Sequence, residues 1–224
     1  MKRFLGGIAL VGLLLSLAGT AQAQMPVKAS IFGGVSLASA GGDADALLGE
    51  SLSSRLGFTG GAQIGLDLHP MFRLPLAVQY VQKGAKWEAT GAGAGEGKFK
   101  LDYIEVRLPL TLKIPMEGSP ITPRINAGGY IAFEMSCKTS FTPTGGTAVS
   151  ADCVDDGILT KSTDYGLTFG AGVDFGVGAT GAITLDVVYD LGLANLDDDP
   201  ANTTLTAKNQ AWLFLLGYQF SLGG

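Results

Sequence analysis

Hydrophobic and polar residues alternate with period two along most of the chain. Every even position from Ile104 to Ile114 is aliphatic, whereas the odd positions between them include Glu105, Arg107 and Lys113. Such alternation is typical of a β-strand with one apolar and one polar face. It predicts strands at 27–37, 56–68, 74–87, 99–114, 121–136, 163–177, 182–193 and 208–222.

The polar faces of these strands are rich in Gly, Ser and Thr and also carry charged residues. The charged residues are Lys28, Asp67, Glu105, Arg107, Lys113, Arg124, Glu134, Asp174, Asp186 and Asp190. Because basic and acidic groups nearly balance, we expect them to form a salt-bridged network. The last strand fits the pattern less well, because Leu213 and Leu215 lie on its polar face.

The connections between the predicted strands alternate between long and short. This pattern is typical of outer-membrane barrels, which have long extracellular loops and short periplasmic turns. Turn-forming residues occupy the short connections, as at His69-Pro70 and at Pro115 to Pro120. The sequence therefore predicts an all-β fold, an eight-stranded antiparallel up-and-down transmembrane β-barrel.

Alternation alone leaves open which face of the sheet lies inside. A soluble, lipocalin-like barrel that binds an apolar ligand would place the apolar faces inside, whereas a membrane barrel places them against lipid. Glycines on the polar faces, such as Gly57 and Gly170, suit a crowded lumen better than a solvated strand. Aromatic residues near the strand ends, such as Phe58, Tyr189 and Trp212, suit the two membrane interfaces. These features favour the membrane barrel.

The N-terminal segment has the features of a secretory signal peptide. Lys2 and Arg3 precede an apolar stretch, and Ala21-Gln22-Ala23 forms a small-residue cleavage site. We predict that residues 1–23 are the signal peptide and that residues 24–224 form the barrel domain. No later stretch is apolar and long enough to be a transmembrane helix. A membrane location would therefore require a β-barrel.

Composition and charge narrow the function classes. The chain of 224 residues is 46% hydrophobic and 16% charged, with a formal net charge of −5. Soluble domains carry about 25% charged residues, and nucleic-acid-binding domains are basic. We therefore expect no nucleic-acid partner.

Several runs resemble the PorT-like, or porin-like, outer-membrane β-barrel family. They are residues 79–86 (QYVQKGAK), 101–110 (LDYIEVRLPL), 170–175 (GAGVDF), 189–193 (YDLGL) and 217–220 (GYQF). The resemblance implies an eight-stranded outer-membrane barrel, and its PorT-like members imply a role in protein secretion. Members of this kind usually end on an aromatic residue, whereas here four residues follow Phe220.

Eight strands enclose a lumen that side chains can fill, so the charged network is expected to plug it. A narrow or gated ion conduit is the alternative interpretation, and wide solute passage is excluded. Removal of Glu105 or Arg107 should destabilise the barrel, because a buried charge would lose its partner.

Cys137 and Cys153 are the only cysteines and lie in the longest predicted loop. In an exported chain we expect them to form a disulfide. A metal site would need further ligands, and the single histidine, His69, falls at the opposite end of the barrel. We expect no metal site and no cofactor.

The predicted long loops are acidic, and Asp197-Asp198-Asp199 is their densest run. A solvated rim explains this charge, and divalent cations that bridge to lipopolysaccharide phosphates are the alternative. We expect outer-membrane lipid, lipopolysaccharide and secretion or envelope proteins as partners, and the oligomeric state stays open.

Catalysis in barrel enzymes of the lipid-modifying or proteolytic kinds needs a histidine base at the outer side, and His69 lies in a short turn. We therefore predict a non-enzymatic barrel that serves as a structural, binding or secretion-accessory component. The alternatives are a soluble exported lipocalin-like carrier and a lipid-modifying barrel enzyme.

Overall fold

The computed structural model describes residues 27–48, 51–91, 93–178, 181–199, 204 and 206–222. The predicted signal peptide lies outside these residues. The strands are β1 Val27–Gly42, β2 Leu52–His69, β3 Phe72–Lys83, β4 Ala85–Ala89, β5 Gly95–Lys113, β6 Ile121–Pro143, β7 Val149–Asp152, β8 Thr163–Val177, β9 Gly181–Gly192 and β10 Ala207–Leu222, with one helix, α1, at Ala44–Leu48. Among the described residues, no helix is long and apolar enough to cross a membrane.

The antiparallel sheet closes on itself. β1 pairs with β2 on one side and with β10 on the other. The remaining pairings run in the order β2, β3, β5, β6, β8, β9 and β10. Within the described ranges, β4 continues β3 beyond a break at Gly84, where φ is 116°, and β7 returns along β6. The predicted eight-stranded up-and-down barrel is therefore confirmed.

The apolar faces of the strands lie on the outside of the barrel. Leu108 is 52% exposed and Leu216 is 58% exposed, whereas Glu105 is completely buried. This arrangement is the reverse of a soluble protein and satisfies backbone groups within the sheet while apolar side chains face lipid. It is also the reverse of a lipocalin-like carrier, so the structure does not support that alternative.

The strands continue beyond the predicted boundaries at the end that carries the long loops. A membrane-spanning strand needs about 9–11 residues, but β5 has 19 residues and β6 has 23. Beyond the membrane-spanning length, residues 85–101 and 137–152 continue the hydrogen-bonded sheet through β4, β5, β6 and β7. We call this region the outer extension. Both faces of the sheet are mixed there, so the period-two signal fades although the hydrogen-bonded ladder continues.

At the opposite end, the connections between strands are short, as predicted. The turn between β2 and β3 is limited to Pro70 and Met71, so Arg73 lies in β3 rather than in the predicted turn. At the end that carries the long loops, β2 begins before the predicted boundary at residue 56, so Arg55 belongs to this strand and is buried. Its guanidinium donates a hydrogen bond of 2.6 Å to the carbonyl of Lys83.

A disulfide joins Cys137 to Cys153, as predicted, with a Cα–Cα distance of 5.5 Å. Cys137 belongs to β6 rather than to a loop, and Cys153 follows β7 directly. The backbone N–H of Cys153 also donates to the carbonyl of Cys137. The bond therefore fastens the β6–β7 hairpin at the edge of the outer extension.

Peptide mapping of the non-reduced protein is expected to recover Cys137 and Cys153 in one cross-linked fragment. The bond closes a sequence separation of 16 residues, which in the chain-entropy model constrains the hairpin by roughly 3 kcal/mol. The Cys137→Ser/Cys153→Ser variant should therefore be cut faster by protease within residues 144–162. Recovery of two free thiols from the untreated protein would contradict the bond.

Candidate functional site

Side chains from all parts of the barrel wall meet in the lumen. Near the short turns, Arg73 of β3 donates from Nε to Asp67 Oδ1 at 2.6 Å. Lys113 Nζ lies 3.0 Å from the same carboxylate oxygen. Arg73 also donates to the side-chain oxygen of Gln219, across the lumen on β10. One carboxylate is therefore shared by two cations from neighbouring strands.

A second guanidinium completes this layer of charge. Arg124 of β6 lies 2.8 Å from Asp174 through Nε and 2.8 Å from Asp186 through Nη2. Asp174 is 3.9 Å from Arg73 Nη1, which joins the two groups. We call Asp67, Arg73, Lys113, Arg124, Asp174 and Asp186 the short-turn cluster.

A separate cluster surrounds Lys83 in the half of the lumen nearer the long loops. The Lys83 side chain is fully buried, with Nζ at 2.7 Å from Glu105 and 3.5 Å from Asp164. The ammonium also lies 4.1 Å from the centre of the Tyr130 ring. A buried lysine is tolerated only with such partners, because an unpaired buried charge is very costly.

Neutral polar groups and one arginine extend this cluster. Gln79 donates to Glu105 at 2.8 Å and accepts a hydrogen bond of 2.7 Å from Arg107. Asn209 of β10 donates to Asp164 at 3.1 Å. We call Lys83, Glu105, Asp164, Arg107, Gln79, Asn209, Tyr103, Tyr130 and Asp190 the Lys83 cluster.

Asp190 differs from the other carboxylates of the cluster. Its side chain is completely buried, yet neither oxygen has a hydrogen-bond partner within the part of the chain that the structure describes. Thr168 is its cross-strand neighbour on β8. Its charged neighbours are Glu105, Lys83 and Arg107. Among the described residues, Lys83 and Arg107 are near this carboxylate, but neither makes a direct ion pair with it.

Little space remains between the two clusters. The lumen there contains a cavity of about 40 Å³, lined by Arg107, Arg124 and Asp186 among others. Water needs roughly 10–15 Å³ by this measure, so the cavity has room for a few water molecules only.

The lumen also has an apolar side, formed by β10, β9 and β1. Leu213 is completely buried beside Val188, and Leu215 is buried beside Asp186. The two leucines that broke the polar pattern of the last strand therefore pack inside the barrel. Apolar contacts fill the space that the charged side chains leave.

Glycines on the inward faces make room for these side chains. A β-carbon at Gly65 would collide with Arg73, and one at Gly166 would collide with Tyr130. A β-carbon at Gly172 would meet the carboxylate of Asp186. The glycine content of the inward faces therefore serves the packing of large polar residues in a narrow lumen.

Two residues of the predicted network lie apart from the ion pairs. Lys28 is half-buried near Arg73 and Asp67, and it makes no ion pair with another described residue. Glu134 is half-buried towards the long loops, where it accepts a hydrogen bond of 3.0 Å from Thr160. The other eight predicted residues are buried or nearly buried in the two clusters.

The sequence reasoning missed Arg73, Lys83 and Asp164. Lys83 shares the inward face of β3 with Gln79, and Asp164 shares the inward face of β8 with Thr168. The alternation would have found both residues if it had been followed to the ends of the strands. Arg73 was missed because the predicted turn extended to residue 73, whereas β3 begins at Phe72.

The acidic residues near the long loops border a cleft of about 500 Å³ beside the disulfide, with Glu134, Asp152, Asp155 and Asp198 in its wall. Within the described ranges, no three His, Cys, Asp or Glu side chains are placed to hold a metal ion. Divalent-cation binding by the Asp197–Asp199 run stays the alternative to a solvated rim. His69 lies at the short-turn end, where its Nδ1 accepts a hydrogen bond of 3.2 Å from the N–H of Met71.

Comparison with known proteins agrees with this geometry. The model of the outer membrane protein beta-barrel domain family matches residues 21–198. The chain belongs to this family. A bacterial outer-membrane location follows from the family and from the apolar outer face. No match was found among curated protein sequences.

Solved structures show the same fold. A major outer membrane protein from Thermus thermophilus is 16% identical over 88% of this chain and 99% of that chain, with a TM-score of 0.52. OprG from Pseudomonas aeruginosa is 14% identical over 92% of this chain and 100% of that chain, with a TM-score of 0.50. Neisserial surface protein A is 16% identical over 87% and 97%, with a TM-score of 0.47. At these identities the similarity concerns the fold alone.

Proposed function

We propose that this outer-membrane barrel is closed to solutes and acts as a structural, binding or secretion-accessory component. The observation that carries the proposal is the filled lumen, in which two charged clusters leave a cavity of about 40 Å³. Since ion pairs bind strands from opposite sides of the barrel, a wide pore would require several of them to break together.

The location of the ion pairs explains why opening is unfavourable. Lys83 and Glu105 are completely buried at a distance of 2.7 Å. Separating such a pair without new partners costs about 3–5 kcal/mol. The short-turn cluster opposes opening of the lumen at a second height. There, Arg124 makes ion pairs of 2.8 Å with Asp174 and with Asp186.

The outer extension supports a binding or accessory role. Its strands continue well past the length that a membrane requires, and a disulfide fastens its edge hairpin. A rigid projecting sheet offers a surface for a protein partner, which is the role that the PorT-like resemblance implies. The secretion-accessory assignment rests on that resemblance together with this surface.

Reconstituted barrel is expected to give no swelling of liposomes in isotonic arabinose and no steady conductance in planar bilayers. The Lys83→Met/Arg124→Met variant, which removes one cation from each cluster, provides the comparison, and a wide porin is the positive control. Swelling at the porin's rate would contradict the closed lumen. A steady cation current through the wild-type protein would instead support the narrow ion conduit.

A further inference from the structure

The Lys83 cluster contains more carboxylates than cations. Its two cations are Lys83 and Arg107, whereas its three carboxylates are Glu105, Asp164 and Asp190. All five side chains are buried. The two tyrosines of the cluster are uncharged at neutral pH. With every carboxylate ionised, the cluster would therefore hold one negative charge in excess.

The described groups next to the cluster supply no further positive charge. The short-turn cluster has three carboxylates and three cations and is balanced in itself. On the side of the long loops, the guanidinium of Arg55 interacts electrostatically with the carboxylate of Asp102. Glu134 lies on the same side and adds another negative charge. The excess charge of the Lys83 cluster therefore stays uncompensated by its surroundings.

Lys28 is too far from Asp190 to neutralise it. On β10, Lys28 pairs with Ser221, whereas Asp190 pairs with Ala211. Residues 211 and 221 lie about 33 Å apart along the strand, and the interaction between charges falls with distance. The residues of β10 next to Asp190 are the buried and apolar Ala211 and Leu213.

Two of the three carboxylates in the cluster have direct partners. Glu105 lies 2.7 Å from Lys83 Nζ and accepts a hydrogen bond of 2.8 Å from Gln79. Asp164 lies 3.5 Å from the same ammonium and accepts a hydrogen bond of 3.1 Å from Asn209. Donors of this kind stabilise the ionised form of a carboxylate. Glu105 and Asp164 are therefore the carboxylates that the two cations compensate.

Asp190 is the carboxylate without such partners. Its side chain is completely buried, and neither of its oxygens has a hydrogen-bond partner among the described residues. The hydroxyl of Thr168 is near, directly opposite on β8, but outside hydrogen-bond geometry. The lumen cavity is lined by Val188 on the same strand but does not reach Asp190. Burial of an ionised carboxylate without a partner is so costly that the group becomes neutral instead.

We propose that the Lys83 cluster binds one proton, on the carboxyl of Asp190, at neutral pH. The proton restores the balance of charge, because two cations then face two ionised carboxylates. Loss of the proton at higher pH places a second negative charge near Glu105, so the folded barrel becomes less stable as the pH rises. The proposal concerns one carboxyl group and does not depend on the closed lumen, so either proposal can fail without the other.

Urea unfolding in lipid vesicles at a series of pH values tests the site with the Asp190→Asn variant. Asparagine has nearly the shape of the protonated acid but binds no proton. An aspartate of the unfolded chain is ionised above about pH 5, so the wild-type protein takes up one proton when it folds. Between about pH 5 and pH 7, the unfolding constant of the wild-type protein should therefore rise about tenfold per pH unit relative to that of the variant.

Asp198→Asn is the matched control, because Asp198 is an exposed aspartate. The ratio of its unfolding constant to that of the wild-type protein should not change over the same pH range. A constant ratio for Asp190→Asn as well would show that Asp190 is ionised in the folded barrel and would overturn the proposal. So would a gain in stability when sodium chloride replaces choline chloride, if only the wild-type protein shows it, because a metal cation would then balance the charge.

Infrared spectroscopy of the folded wild-type barrel gives a second readout, which does not require the variant to fold. At neutral pH we expect the carbonyl absorption of a protonated carboxylic acid, and isotope labelling of the aspartate carboxyls should shift it. Asp190→Asn that shows the heat-dependent shift of a folded barrel on a gel should lack this absorption. Its absence from the wild-type spectrum, or its persistence in folded Asp190→Asn, would contradict a proton on Asp190.

Discussion

Replacing Lys83 by methionine is expected to destabilise the folded barrel by about 3–5 kcal/mol. Lys83 is completely buried, and its ammonium is the direct partner of Glu105 and Asp164. Methionine retains much of the side-chain volume but removes the charge, so both carboxylates stay buried without their cation. The free energy of unfolding in urea, measured in lipid vesicles by tryptophan fluorescence, gives the loss directly.

Two comparisons separate the lost ion pair from other effects of the substitution. Lys161→Met alters an exposed lysine and should change the unfolding free energy by no more than about 0.5 kcal/mol. The double variant Lys83→Met/Glu105→Gln should be more stable than the sum of its single variants predicts, because the carboxylate left unpaired is gone. Full additivity would show that the pair contributes nothing.

Glu105→Ala examines the same pair from the other side. It leaves Lys83 with Asp164 as its remaining carboxylate partner at 3.5 Å, and Gln79 loses its acceptor. We expect a lower unfolding midpoint than for the wild-type protein, with a smaller loss than for Lys83→Met. An unchanged midpoint would contradict the assignment of Glu105 to the buried network.

The barrel could be predicted from sequence because lipid imposes a simple rule on every strand. Alternating residues must be apolar wherever one face meets hydrocarbon, so positions such as Leu108 and Leu110 reveal the strand directly. The rule ends where the membrane ends. The outer extension was therefore assigned to loops, although residues such as Lys98 and Lys138 lie in strands.

The lumen was harder to predict because its pairings depend on the register of strands far apart in sequence. Arg73 reaches Gln219, and Asn209 reaches Tyr103 and Asp164. Alternation shows that these side chains point inward, but it does not show which of them lie at the same height along the barrel axis. Glu134 points inward and is charged, yet its height along the barrel axis places it beside Thr160 and away from Lys83.

The placement of the apolar face in lipid has a consequence of its own for substitutions. Replacing Leu108 by arginine is expected to destabilise the barrel in a bilayer by about 2–4 kcal/mol. Leu108 is 52% exposed and lies midway along the apolar outer face of β5. In a soluble protein the same exposed position would tolerate arginine within about 0.5 kcal/mol. Urea unfolding in lipid vesicles measures the difference.

Val149→Arg is the matched control, because Val149 is 68% exposed but lies in β7 of the outer extension, beyond the lipid. Water solvates an arginine there, so its effect should stay within about 0.5 kcal/mol. The contrast between the two sites arises only if hydrocarbon surrounds the first and water surrounds the second. Equal and small effects at both positions would contradict a lipid-facing apolar surface, even though the two side chains are similarly exposed.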